Sequence, residues 1–418
     1  MSENTDMYNA DELEPPQWLN TDFFNNVLRN YLQDANLKIL SLKITPGTMK
    51  GDHYGSAMFR IALIFEQKGV KHEKCLIIKT FPEAEHKQDV FEESHTFETE
   101  ILIYRDVIPN FVKTLESIGD NMKFGPNCLH ASIEPKKCLV FDDLVKLGYV
   151  LLRDREANIT ESRLALLKLA KWHALGFKLI KDGKAKMLDK FRYSMFSLKN
   201  LVADDYFQNG ITHFINMLGG QPVLLEYKLY FEKIRPNLIE KCLASFNEFY
   251  NGPQDGSLYA LCHGDFHFKN MMFKYNPKDG SLEDDMILDY QFSHVGPMVN
   301  DLNYAFIMLW DKEQRLHHFD GHLRYYFDNL LDTLKKIGYK GELPTFENLK
   351  DQFLRQKYYV FFMLTTFLPM WRSFYTGDSE PVMTSAEYRK NCYKQQYLID
   401  EIHELLPLYK KFGYFDDL

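Results

Sequence analysis

Strand-forming and helix-forming residues are segregated along this chain, and that separation limits the fold more than any other feature. Three β-rich runs come first: Leu37 to Ile44, Ser56 to Glu66 and Glu73 to Phe81. Gly69 turns the chain between the last two, while Pro46, Gly47, Gly51 and Gly55 break the first from the second. The pattern predicts an antiparallel meander with a glycine-containing bend. The stretch DVFEESHTFETEILIYRDVIPNFV then sets Phe97, Ile101, Tyr104 and Ile108 at helical spacing, with a stop expected at Pro109. CLVFDDL, Cys138 to Leu144, reads as a short apolar strand ending in two acids. Beyond about residue 145 the character changes. RLALLKLAKWHALGFKLI is a strong amphipathic helix, and most of the remainder is helical except for one short β region. Strands first and helices after predict an α+β protein rather than an alternating α/β one. The expected division is an N-terminal extension with a first helix over 1–34, a small β-rich lobe over 35–143 and a large, mostly helical lobe over 144–418.

Charge and cysteine usage remove several function classes. The formal net charge is -8 and no block of Lys or Arg stands out, which argues against a nucleic-acid partner. Six scattered cysteines without a CxxC pair read as reduced thiols, not as a disulfide framework or a zinc site. The acidic start, MSENTDMYNADELEPPQ, lacks the basic and apolar regions of a signal peptide. The longest apolar run, Tyr358 to Trp371, falls short of the ~20 residues a membrane-spanning helix needs. A cytoplasmic protein with no membrane span and no implied protein partner is the expectation.

The β region within the helical part carries the chemistry. LCHGDFHFKNMMF, Leu261 to Phe273, sets His263, Asp265, His267 and Asn270 between two apolar runs. Tyr259 to Cys262 and Met271 to Tyr275 read as strands, NPKDG as a turn, and Met286 to Leu288 as a third strand ending at Asp289. Such a hairpin brings Asn270 beside Asp289, a pair of oxygen ligands suited to Mg²⁺. Asp265, five residues before Asn270, is then placed to accept a hydroxyl proton. An Asp, an Asn five residues on and a metal-binding Asp after a hairpin is the phosphoryl-transfer layout of protein kinases.

HGDFHFKN with DYQFSHVGPMVND resembles the catalytic and metal-binding segments of the ecdysteroid-kinase-like (CHK-kinase-like) phosphotransferases, relatives of choline kinases and aminoglycoside phosphotransferases with a protein-kinase-like fold. The resemblance spans roughly residues 35 to 305. GDHYGSAMFRI is similar to the family's phosphate loop, CLIIKTFP to its lysine strand and FETEILIYRDVIP to its glutamate helix. CLVFDDL is similar to its hinge and LAKWHAL to the helix that follows. The resemblance implies ATP bound between two lobes, with its adenine against the backbone near Phe141, Asp142 and Asp143. It implies Lys79 on the α/β-phosphates, paired with Glu100 in preference to Glu98, and Asp265 as the catalytic base. Asn270 and Asp289 would hold Mg²⁺, and Asp301 would steady the catalytic loop through backbone hydrogen bonds. His263 is read as a brace for that loop, whereas His267 either reaches the γ-phosphate or hydrogen-bonds the loop.

The sequence also departs from the protein-kinase pattern. The bend has Gly51 and Gly55 rather than three spaced glycines, leaving Ser56 as a candidate hydroxyl contact. Tyr290-Gln291 stands where protein kinases have Phe-Gly, and HVGPMVND reaches Asp301 with no peptide-docking segment. The acceptor is therefore expected to be a small hydroxylated molecule: a steroid-like, xenobiotic or dietary alcohol, or a choline-type cation that would want an aromatic cage. Phe361, Phe362, Phe367, Met370 and Trp371 are either the wall of an apolar acceptor pocket or simply core. Two rivals use the same residues. A metallohydrolase would gather His263, Asp265, His267 and His294 around a metal, and a pseudokinase would bind nucleotide without transfer. His318 and His322, four apart, read as a solvated helical face.

Overall fold

The computed structural model describes residues 14–47, 57–81, 95–183, 185–197, 202–376, 382 and 384–417. The chain divides into two compact units, one of residues 1–110 and 123–150, the other of 111–122 and 151–418. The first is built on an antiparallel sheet and the second is mostly helical, so the α+β class expected from the sequence is the one observed.

The sheet has the order β1–β2–β3–β5–β4, with β1 Lys38–Pro46, β2 Ala57–Gln67, β3 Val70–Thr80, β4 Cys128–Ser132 and β5 Cys138–Asp142. Lys68 and Gly69, both at positive φ, make the two-residue turn between β2 and β3. Register sorts the side chains onto two faces. Met58 lies opposite Lys79, Arg60 opposite Ile77, and Ile77 opposite Phe141, so these share one face. The alternate residues Phe59, Ile61, Leu63, Phe65, Leu76, Ile78 and Val140 form a core with helix α1, Thr21–Leu32, through Phe24, Val27 and Leu28. Asn20 caps α1, its side chain accepting from the backbone N–H groups of Asp22 and Phe23.

The helix carrying Glu100 does not stop at Pro109 as the sequence pattern suggested. Thr96–Leu102 passes through a π turn, Ile103–Val107, into Ile108–Glu116. In that turn the Ile108 N–H bonds back to the Ile103 carbonyl, five residues away. The wider turn moves the chain out of strict α register just ahead of the proline, which has no N–H to give.

In the helical unit, Ile159–Lys181 is the central element, started by a capping box between Asn158 and Glu161. Gly176 lets it lie against the strand Tyr259–Cys262, since a Cβ there would sit 2.8 Å from the Leu261 nitrogen. Trp172 Nε1 donates to the Leu261 carbonyl at 2.7 Å. Lys168, from the same helix, is buried against Asp284 at 2.9 Å and Asp285 at 3.0 Å. Together these contacts fix both the strand before His263 and the hairpin after it. Among the described residues, no helix is long and apolar enough to cross a membrane.

Candidate active site

Two groups of predicted residues occupy separate units. On the sheet, Lys79 reaches Glu100 with Nζ 2.5 Å from Oε2, both side chains nearly inaccessible. Glu98 pairs instead with Lys137 at 2.6 Å. Alternation on a helix explains the difference, because residues two apart do not share a face. Near the β5 end, Phe141 packs on Tyr104 at 4.6 Å, Asp142 pairs with Lys74 at 2.7 Å and Asp143 with Arg60 at 2.7 Å. The backbone N–H groups of Asp142 and Asp143 donate to the Asn127 and Cys75 carbonyls, so neither is left for a base. Gly51, Gly55 and Ser56 lie outside the described residues.

In the helical unit the loop after Cys262 is held from three sides. Gly264 has φ +84°, and a Cβ there would lie 2.1 Å from the Phe292 carbonyl oxygen, so only glycine fits. Asp301 accepts the His263 N–H on Oδ2 at 2.6 Å and the Gly264 N–H on Oδ1 at 2.8 Å. His173 approaches Oδ2 at 3.0 Å and is itself backed by the Tyr326 hydroxyl at 2.6 Å. Burial alone would push the Asp301 carboxyl up, but His173, His263 and the Gly264 N–H outweigh it and hold it below the ordinary carboxylate value. His263 has both ring nitrogens engaged. Nε2 faces the Leu288 carbonyl at 2.9 Å, which can only accept, and Nδ1 faces the Asp265 N–H at 3.2 Å, which can only donate. That fixes a neutral ring protonated on Nε2, and burial lowers its basicity further.

Asp265 sits at the tip of this braced loop with its side chain 14% exposed. Its Oδ1 accepts from the Tyr304 hydroxyl at 2.5 Å and faces His267 Nε2 at 3.3 Å, while Oδ2 accepts from Asn270 Nδ2 at 2.8 Å. Burial pushes this carboxyl up, but His267 and Tyr304 outweigh burial and keep it ionised below the usual range. Because the Asn270 amide nitrogen is committed to Asp265, its oxygen is the atom available to a metal. The Leu288 N–H bonds to the Asn270 carbonyl at 2.8 Å and brings Asp289 alongside. Asp289 adopts a left-handed backbone, φ 61° and ψ 64°, a costly conformation of the kind found at functional sites. An amide oxygen and a carboxylate form an all-oxygen donor set, the chemistry a hard divalent cation requires.

Tyr304 and His173 have no role assigned from the sequence, although His173 lies within LAKWHAL and Tyr304 just beyond HVGPMVND. The only signal for Tyr304 is its place three residues after Asp301, on the same side of the helix Val299–Met308. The metallohydrolase grouping does not assemble. His263 has no nitrogen to spare, and His294 is buried with Nδ1 on the Phe292 carbonyl and its ring against Phe246 at 4.8 Å. Among the described residues the group with metal-ligand proximity is His173, Cys262 and Asp301, and both oxygens of Asp301 are engaged by the loop it braces and by His173. His322 also departs from expectation. It is buried against Trp310, not solvated, and burial takes its pKa down to about 4.

The profile of the ecdysteroid kinase-like family matches residues 50–339, a stretch that contains every one of these groups. No curated protein matches the sequence. Among solved structures, choline kinase from Cryptosporidium parvum is similar at 10% identity, covering 93% of this chain and 97% of that one, with a TM-score of 0.45. Choline kinase LicA from Streptococcus pneumoniae is similar at 13% identity, 91% and 99% coverage and a TM-score of 0.37. The amicoumacin kinase hAmiN, solved with AMP-PNP and Ca²⁺, is similar at 11% identity, 95% and 94% coverage and a TM-score of 0.35. The profile match covers more than half of the sequence and includes the braced loop and its hairpin, so the chain belongs to the ecdysteroid kinase-like family of small-molecule phosphotransferases.

Proposed function

We propose that this small-molecule kinase transfers the γ-phosphoryl group of ATP to a hydroxyl on an apolar organic molecule, with Asp265 as the general base. The observation that carries the reading is the state of Asp265: an ionised carboxylate, partly exposed, held in one orientation by donors on both oxygens. A base so placed needs no reorganisation to receive a hydroxyl proton, and catalysis becomes positioning plus electrostatics. Lys79, oriented by Glu100, would contact the nucleotide phosphates. Asn270 through its amide oxygen and Asp289 through its carboxylate would hold Mg²⁺, which when bound neutralises charge on the phosphates. Asp301, His173 and His263 keep the loop backbone fixed while this happens.

The apolar character of the acceptor is supported by Phe367. Of Phe361, Phe362, Phe367, Met370 and Trp371, it alone is half-buried, and the other four are core. Its ring lies 5.7 Å from that of Tyr206 and 6.2 Å from that of Tyr304, next to the base. The test is ATP turnover with Mg²⁺ against steroid, xenobiotic and choline-type alcohols, wild type beside Asp265→Asn. Transfer to an apolar alcohol that vanishes in the variant supports the reading. Preferential transfer to choline would replace the acceptor class, and ATP binding without any transfer would point to a pseudokinase.

A further inference from the structure

Tyr304 decides which oxygen of Asp265 does the chemistry. An ionised carboxylate offers about four lone-pair sites, two on each oxygen. On Oδ1 one site takes the Tyr304 hydroxyl at 2.5 Å; the phenol is the donor, because an ionised carboxylate can only accept. The second site faces His267. That ring accepts the Lys269 N–H on Nδ1 at 3.2 Å, and a backbone N–H can only donate, so the ring's proton is on Nε2, the nitrogen 3.3 Å from Oδ1. On Oδ2 one site takes Asn270 Nδ2 at 2.8 Å. Among the described residues, the one lone pair that no donor faces is on Oδ2.

The source of the latch adds to the argument. Tyr304 and Asp301 stand one helical turn apart on Val299–Met308. Asp301 fixes the backbone at His263 and Gly264, and Tyr304 fixes the carboxylate two residues further on. One turn of one helix therefore sets both the position and the rotation of the base. The Tyr304 ring is held in turn, stacked on His267 with centroids 6.0 Å apart at 22°.

We infer that Tyr304 is a positioning residue that latches Asp265 through Oδ1, so that Oδ2 is the atom receiving the acceptor's proton. This rests on the phosphotransfer reading. In that step the alcohol oxygen bonds to the γ-phosphorus of ATP, the bond from that phosphorus to the bridging oxygen breaks to release ADP, and the hydroxyl proton passes to Oδ2.

The test uses the full chain carrying Tyr304→Phe, Asp265→Ala and both together. Phenylalanine keeps the ring and removes only the hydroxyl. Two readouts are needed: the thermal midpoint, which requires no activity, and ATP turnover with water and with the alcohol panel as acceptors. The latch predicts that Tyr304→Phe lowers the midpoint by several degrees, and that the drop disappears when Asp265 is already alanine. It also predicts at least a tenfold fall in kcat with KM for ATP within twofold, since a misaligned base costs rate and not nucleotide binding. A drop that persists undiminished beside Asp265→Ala, or an unchanged kcat, overturns the latch. Wild type that transfers phosphate to no acceptor, with the thermal coupling intact, overturns the phosphotransfer reading and the Oδ2 assignment while the latch stands. Should Asp265→Ala fail to fold, the kcat–KM split of Tyr304→Phe decides alone.

Discussion

Replacing Asp301 by asparagine changes one atom and should disable the loop. The carboxylate accepts the His263 N–H on one oxygen and the Gly264 N–H on the other. An amide has only one acceptor oxygen, so its NH2 must face one of these two N–H groups, donor against donor. The side chain is buried, so bulk solvent does not reach it to relieve the mismatch. A lost charge-assisted hydrogen bond plus a stranded buried donor amounts to about 2–4 kcal/mol. At ~2–4 °C per kcal/mol for a unit of this size, the thermal midpoint should fall by roughly 4–16 °C. Turnover should fall at least about a hundredfold, because Asp265 is carried on the released backbone. The stability gap must also depend on pH with a definite sign. Asp301 is held below its unfolded value of about 3.9, so its contribution is complete above that pH and is lost as pH falls through the lower folded value. Asparagine does not titrate, so the midpoints of the two proteins should converge below about pH 4. Scanning calorimetry between pH 7 and pH 3 measures this directly. A gap under ~2 °C at pH 7, or one that is independent of pH, would refute the reasoning that the carboxylate braces the loop.

Other variants probe separate parts of the arrangement. Gly264→Ala forces a Cβ to within 2.1 Å of the Phe292 carbonyl oxygen at a left-handed backbone. It should abolish turnover and cost a few kcal/mol by chemical denaturation (about 1–2 from the backbone alone). Lys79→Met leaves Glu100 buried without its cation and should cost about 3–5 kcal/mol. Adding Glu100→Gln should recover part of that stability but none of the ATP affinity measured by calorimetry. Asn270→Ala and Asp289→Asn should each raise the Mg²⁺ concentration needed for half-maximal turnover by about tenfold or more, whereas an unchanged Mg²⁺ titration would take both residues out of the metal site (a lost contact of about 1.4 kcal/mol is tenfold).

The parts of the site that sequence makes legible are those fixed by spacing along one chain segment. Asp265, Asn270 and Asp289 lie on a single strand–loop–hairpin unit, so their order and separation alone place them together. Lys79 and Glu100 need a tertiary fact as well, that the helix packs on the face of β3 carrying odd-numbered residues. Tyr304 and His173 were hidden because a tyrosine in YAFIM and a histidine in KWHAL look like ordinary core of an amphipathic helix; only the packed loop shows what their polar atoms touch. The aromatic run ending at Trp371 shows the opposite limit. Periodicity does not tell a pocket wall from core, and the π turn Met363–Phe367 changes which residues face outward. Pro109 misled for a related reason, since the rule that proline ends a helix assumes α register up to it.

Helix α1 bears on where this protein begins as a physical object. The family match starts at residue 50, yet the sheet's hydrophobic core already includes Leu19, Phe24, Val27, Leu28 and Leu37. A shortened chain cut at the start of the family match would lose both α1 and β1. It would turn Phe59, Ile61, Leu63 and Phe65 of β2 toward water and leave β2 as an unpaired edge, the combination that drives sheet-to-sheet aggregation. Soluble expression should therefore require a start ahead of Trp18, which packs on Phe23 at the mouth of α1. The outline drawn by resemblance among sequences is smaller than the outline drawn by exclusion of water.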